Sequence, residues 1–289
     1  MSVEGDQIID IVFNLYTPDE VAARGQSVGG AFLSKVRVGD QTQRGISVEE
    51  HLAIMDAAGV DVALVPAIKA GDTRIRDSWA IGYERIAEVC EQYPRRFRGL
   101  AGVDPTLGMA GLRELERGVR EYGFVGAHLY PHWFELAPDH RRYYPIYAKC
   151  CELDIPIMMQ VGHCLSYGTV RTFPNVGRPA TLDTVACDFP ELKLIGIHLG
   201  YPWTEEMISV AYKHPNVYIG SDAYAPKHWP PEFRRFADSW GQDKVLFGTD
   251  FPIIDPRRAL KEIDELGLRA APKAKLLGLN AKKVFRLPA

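Results

Sequence analysis

Short apolar runs recur along the chain, each cut off by Gly, Pro, Asn or Asp, and longer amphipathic stretches fill the gaps between them. Residues 8–13 are apolar and mostly β-branched and run into Asn14, so they predict a first strand ending near Asn14, followed by a turn-like Thr17, Pro18, Asp19 and Glu20. The same pattern returns over 60–65, 97–105, 123–130, 155–160, 192–198, 216–222 and 245–250. Ser47 and Glu50 have the spacing of a capping box and open a helix that Gly59 stops. Further helical patterns cover 77–93, 108–122, 143–153, 181–188, 203–214, 231–240, 256–266 and 273–287. Residues 22–45 carry no sustained period and predict a loop long enough to serve as a lid or binding loop.

Strands and helices alternate at spacings of roughly 25–45 residues, the rhythm of an α/β protein of the (β/α)8 TIM-barrel class. A doubly wound open sheet is the rival, but no G-x-G-x-x-G turn follows the first strand. No internal repeat, low-complexity tract or linker interrupts the pattern, so one domain over 1–289 is expected.

Composition narrows the functional classes. The chain is 46% hydrophobic and 25% charged with a net charge of −3, which gives no field for nucleic acid or an anionic membrane. No apolar run reaches the roughly 18–20 residues of a membrane span, and the polar start is no signal peptide. Five cysteines without framework spacing point to reduced thiols and a cytoplasmic protein. Cys150 and Cys151, adjacent on a helical pattern, read as small apolar residues rather than a metal pair. The expected partner is a small-molecule substrate, and a homo-oligomer is left open.

Candidate chemistry collects where strands stop. In a parallel α/β protein the carboxyl ends of strands are where reacting groups are placed. The run 245–250 ends on Asp250 before a Pro, and 192–198 ends on His198. A plain turn aspartate is the competing reading for Asp250. Alternation puts His128 and Tyr130 on one strand face, and the barrel mouth is favoured because a buried histidine needs a partner. Gln160 and Asp222 end strands, although Asp222 fits a turn role equally well. His163 follows Gln160 by three residues. Tyr201 and Trp203 follow His198 and either wall the pocket or simply start the next helix. His132, His140, His214 and His228 read as solvated or turn histidines, and Arg74, Arg76, Arg171 and Arg178 as loop cations within reach of an anionic substrate or solvent.

Residues 144–156, 189–200, 214–220, 244–252 and 279–286 resemble the amidohydrolase superfamily, and within it the decarboxylase and lactonase branch often called amidohydrolase-2. The resemblance implies one divalent metal held by a His-x-His after the first strand, a His ending the fifth and an Asp ending the eighth, with a sixth-strand His as acid/base. Here the first three of those positions are Val12, Asn14 and Gln160, so that Asp250 alone matches a ligand and His198 matches the acid/base residue. A stable zinc site wants three or four N, S or carboxylate donors, which leads to an expectation of no metal and no cofactor. The alternative is one weakly bound divalent ion such as zinc at Asp250, helped by His163, His128 or Cys164.

On this reading Asp250 and His198 are the catalytic pair, activating water or moving a proton. Asn14 and Gln160 hold a carbonyl or oxyanion, and His128, Tyr130, His163, Tyr201, Trp203 and Asp222 complete the substrate-binding set. The expected function is a metal-independent hydrolase acting on a lactone, an ester or a β-keto C–C bond from aromatic-acid breakdown. An aromatic-acid decarboxylase is the first alternative and a non-catalytic binding relative the second. The second is disfavoured because an unused buried charge such as Asp250 is costly to keep.

Overall fold

The computed structural model describes residues 7–25, 30–72, 78–165 and 173–288, so Arg74, Arg76 and Arg171 lie outside the described residues. Ten strands are present: β1 Ile9–Asp10, β2 Val62–Pro66, β3 Ile68–Ala70, β4 Trp79–Ile81, β5 Phe97–Gly102, β6 Gly126–Leu129, β7 Ile157–Gln160, β8 Leu194–Ile197, β9 Val217–Gly220 and β10 Val245–Leu246. Eight of them form one parallel sheet in the order β1-β2-β5-β6-β7-β8-β9-β10. The ends of that order meet just beyond the strands, where Ile11 N donates to Phe247 O at 3.0 Å and Asp250 N to Val12 O at 2.9 Å. The architecture is the expected (β/α)8 TIM barrel.

Period-two alternation decides which side chains fill the barrel. Val62, Leu64, Leu100, Met158, Ile195, Ile197 and Leu246 share one inner cluster with Ile9 and Ile11. Their neighbours Ala63, Val65, Ala101, Ile157, Met159, Leu194 and Val245 face the helices in a separate outer cluster. Full burial of each such aliphatic side chain is worth about 1.5–3 kcal/mol, which pins strand register, since a slip of one residue would turn every side chain to the wrong face. Ala281, Val284 and Phe285, from the last helix Asn280–Phe285, join the inner cluster.

Three segments differ from expectation, each for a local reason. Pro18 opens a helix, Pro18–Arg24, rather than a turn, because Pro is pre-set for the first helical position and Thr17 with Glu20 makes a capping box. Helices Gly30–Lys35 and Asp40–Arg44 follow it within the stretch read as loop. The helix expected from residue 77 begins only at Tyr83, because Trp79–Ile81 pairs antiparallel with Ile68–Ala70 as a small ribbon. The final helix is divided by a wide π-turn, Lys275–Leu279. The Leu276 carbonyl accepts the Phe247 N–H at 2.9 Å. A Cβ at Gly278 would lie 1.9 Å from the Gln7 carbonyl, so only glycine lets this turn back onto the start of the barrel. No helix among the described residues is long and apolar enough to cross a membrane.

Candidate active site

Strands β8, β9 and β10 deliver His198, Asp222 and Asp250 to one corner of the barrel mouth. His198 Nε2 lies 3.2 Å from Asp222 Oδ2 and 3.7 Å from Asp250 Oδ2. The His198 backbone N–H donates to Asp222 Oδ1 at 3.0 Å, so Asp222 grips the histidine at main chain and ring together. Asn14 Nδ2 donates to Asp250 Oδ1 and to Phe251 O, both at 2.9 Å. His198, Leu199 and Asp250 have φ of 65°, 56° and 53°. Non-glycine residues rarely adopt this left-handed region, and its concentration here is the kind of local strain that functional sites hold.

Asp10 lies beneath this corner, fully buried, and accepts from Val12 N at 3.1 Å, Thr249 N at 3.0 Å and Thr249 Oγ1 at 2.5 Å. It therefore ties the first strand to the turn that presents Asp250. Burial pushes its carboxyl up to about 7 against those hydrogen bonds. Burial likewise raises Asp250, with His198 opposing and Asp222 adding to the rise. Burial alone would discharge His198, but Asp222 and then Asp250 outweigh it and hold the imidazole above its usual value. His128 has no such support, and burial drives it down to about 3, a neutral ring at working pH. Both its ring nitrogens, and Gln160 Oε1, are buried without a hydrogen-bond partner among the described residues.

The pocket at this mouth is lined by Asn14, His128, Tyr130, Gln160, His163, His198 and Asp250, so seven of the ten expected site residues share one cavity. Asp222 lies behind them, fully buried. Tyr201 and Trp203 do not line the cavity. Tyr201 is turned outward against Tyr224, with ring centroids 4.9 Å apart, and Trp203 packs edge-on with His163 at 4.8 Å and carries the Arg178 guanidinium 4.8 Å from its centroid. Arg178 is no substrate cation either, since it is spent on Glu206 at 2.9 Å. His132 and His214 are not solvated. His132 is fully buried with Nε2 3.0 Å from Gly162 O, and His214 is buried with Nε2 2.7 Å from Asp183 Oδ1. Gly162 itself has φ 86°, and a Cβ there would lie 2.3 Å from Tyr201 O, which fixes this floor of the mouth close to the loop after β8.

Sequence reasoning missed the other wall. Tyr16, Arg24, Trp79, Trp133 and Tyr224 all line the cavity. They come from a helix, a ribbon strand and loops, where no alternation marks the inward face. A capping box at Thr17 was the one readable signal that this segment is built rather than irregular.

The donor set fits a divalent cation. His198, Asp222 and Asp250 each bring a ligand atom to within 4.8 Å of the others. Gln160 Oε1 is an orphaned buried acceptor lining the same cavity. A fully buried carboxylate, a partly buried one and an imidazole leave negative charge that a cation would offset, and an oxygen-rich set suits a hard or borderline ion. A second group, Asp183, Cys187 and His214, lies outside the mouth. Its carboxylate is already neutralised by Lys213 at 2.7 and 2.9 Å.

The profile of the amidohydrolase family matches residues 33–287. The chain belongs to the amidohydrolase family. Among curated relatives, the gamma-resorcylate decarboxylase of Polaromonas sp. is 24% identical, over 83% of this chain and 87% of its own. The 2-keto-4-carboxy-3-hexenedioate hydratase of Sphingobium sp. is 29% identical, over 77% of this amidohydrolase and 75% of its own length. Among solved structures, the 5-carboxyvanillate decarboxylase of Novosphingobium aromaticivorans superposes with a TM-score of 0.72 at 20% identity, covering 99% of this chain and 97% of that one.

That solved decarboxylase was crystallised with manganese, which corrects the expectation of a site without metal or cofactor. The expectation found Asp250 the one matching ligand beside Val12, Asn14 and Gln160, and looked for help only to His163, His128 and Cys164. It missed that the β9 end supplies Asp222 and that the His198 ring reaches the same point.

Proposed function

We propose that this amidohydrolase is a divalent-metal carboxy-lyase acting on a small aromatic or unsaturated acid, rather than the hydrolase first expected. The observation that carries the reading is the corner itself, where His198, Asp222 and Asp250 converge beside the unpartnered Gln160 oxygen. Rings of Tyr130, Trp133 and Tyr224 wall the cavity around it. The decarboxylase relatives support the choice of reaction.

His198 and Asp222 would hold the ion with the Gln160 oxygen, and when bound it supplies positive charge to the oxygens of the reacting acid, while Asp250 beside them stays free to carry a proton. Asp250, raised by burial, carries a proton toward the carbon that bears the carboxylate. A C–H bond forms there, the C–C bond breaks, its electron pair returns to the ring or alkene, and carbon dioxide leaves. Asn14 fixes the Asp250 carboxyl through Oδ1, leaving Oδ2 toward His198. Asp222 orients His198 from behind. His128, neutral and unpartnered, is placed to hydrogen-bond a hydroxyl or carbonyl of the substrate. The aromatic walls exclude water from the carbon that is being protonated.

The test strips the protein with a chelator, restores Mn2+, and follows carbon dioxide release from a panel of hydroxybenzoates and unsaturated acids. Release that depends on the added ion is expected. Full release from verified metal-free protein would sink the proposal. The hydratase relative, at the higher identity, favours a second reading in which the same pair adds water to a double bond. Hydrated product without carbon dioxide would select it.

A further inference from the structure

Arg24 is the last residue of the helix Pro18–Arg24, and its side chain lines the cavity. It is only 4% exposed, and it forms no ion pair among the described residues. Its Nη1 and Nη2 are both buried without a hydrogen-bond partner among those residues. The guanidinium carbon stands 4.2 Å from the Tyr16 ring centroid and 5.2 Å from that of Trp79. Aromatic rings that pack a guanidinium so closely stabilise the cation and leave its N–H groups directed along the plane. An unpaired buried charge costs several kcal/mol, so the arrangement is incomplete without an anion.

The helix that carries Arg24 is anchored firmly. Glu20, 2% exposed, accepts from Thr17 N at 2.9 Å and from Arg85 Nε at 2.8 Å, so the capping box and an ion pair meet on one carboxylate. Glu20 therefore does not serve as the counterion for Arg24. Asp250 is held by Asn14 and His198 and makes no ion pair with Arg24 among the described residues, although the guanidinium charge acts on it to lower its carboxyl.

We propose that Arg24 reads a second carboxylate on the substrate, so that the acid processed here is a dicarboxylate. This rests on the carboxy-lyase reading, in which the first carboxylate is the one lost at the His198, Asp222 and Asp250 corner. The planar fork of the guanidinium matches a carboxylate edge-on, with both oxygens bonded in the plane left open between the rings. Arg24 is then a specificity residue that selects and orients, and it moves no proton.

The experiment compares benzoate with isophthalate, its meta-dicarboxylate, by titration calorimetry on manganese-loaded protein. Arg24→Met keeps the apolar stem without the charge, and Arg24→Lys keeps the charge without the fork. In the native chain isophthalate is expected to bind about 10- to 100-fold more tightly than benzoate, the worth of a charge-assisted bidentate contact. In Arg24→Met that preference disappears because isophthalate loses far more affinity than benzoate, and Arg24→Lys retains a reduced preference. Equal binding of the two acids by the native chain overturns the proposal, and so does an equal loss of both in Arg24→Met. Should Arg24→Met fail to fold, the native preference and its reduction in Arg24→Lys decide alone. Discrimination without carbon dioxide release from any acid would leave Arg24 assigned and the lyase reading wrong. Carbon dioxide release from monoacids and diacids alike, with no preference between them in the native chain, would do the reverse.

Discussion

The wall of the pocket made by strand ends and the wall made by the helix Pro18–Arg24 and its neighbours treat their charges in opposite ways. At the strand ends, His198 is gripped twice by Asp222 and faces Asp250, which Asn14 holds in turn. On the other wall, Arg24 packs against two rings, with its terminal nitrogens unpartnered among the described residues. Contacts of this kind fix geometry before a ligand arrives, which is what a proton-moving group needs. A lone cation instead waits for the ligand to supply its partner, which is what selection needs. The division predicts that changes at strand ends act on turnover and changes on the far wall act on binding.

The sharpest way to break that division is Asp250→Asn. The variant keeps the shape and loses the proton carrier, so turnover should fall by about 10²–10⁴-fold, the usual worth of a positioned acid or base. Its melting temperature should hold or rise, because a neutral amide is easier to bury than a carboxylate. Full turnover in this variant would move the reacting group away from the strand ends.

A smaller effect separates the floor from both walls. Burial holds His132 down at about 4, well below the ordinary 6.5 of an imidazole in the unfolded chain. The unfolded state therefore takes up its proton first as pH falls. Stability contributed by the neutral ring is full above about 6.5 and is lost progressively toward 4, by up to about 3 kcal/mol. His132→Phe should flatten this acid limb in denaturant melts between pH 4 and 7. An unchanged slope would show that the ring titrates normally in the folded protein. The smallest effect is expected of Tyr201→Ala, since Tyr201 faces outward. Its kcat/KM should change by less than about threefold, under roughly 0.7 kcal/mol, and a larger loss would bring Tyr201 back to the cavity.

What the sequence could reveal follows the same boundary. Barrel strands are buried on both faces, and their runs of Ile, Val and Leu mark them even where only two residues, Val245 and Leu246, keep ladder geometry. Strand parity then aimed His128, Tyr130 and Gln160 correctly, since each alternates with a residue facing the helices. Parity says nothing once a strand has ended. Tyr201 and Trp203, three and five residues beyond His198, turned away, while Trp133 and Tyr224 turned in. Arg24 was invisible for another reason. Nothing local distinguishes a buried arginine from a solvated one, and the rings beside it come from Tyr16 and from Trp79, the latter 55 positions along the chain, while Arg24 itself sits in the stretch 22–45 that carried no period. The metal reading failed because it compared positions one by one, whereas Asp222 joins the donors from a position outside that comparison.

The bond between Asp10 and Thr249 also bears on how the chain is made. Its two partners are 239 residues apart, and it belongs to the seam where the first and last strands of the ring meet. During synthesis β1 gains β2 early, yet its other edge has no partner until residues beyond β10 have left the ribosome. An unpaired strand edge is a template for any extended segment nearby. Until the seam forms, a nascent barrel carries that hazard at both ends of its sheet. The carboxylate that later supports the Asp250 turn is thus also the clasp whose late closing ends the exposure of an open sheet to its neighbours.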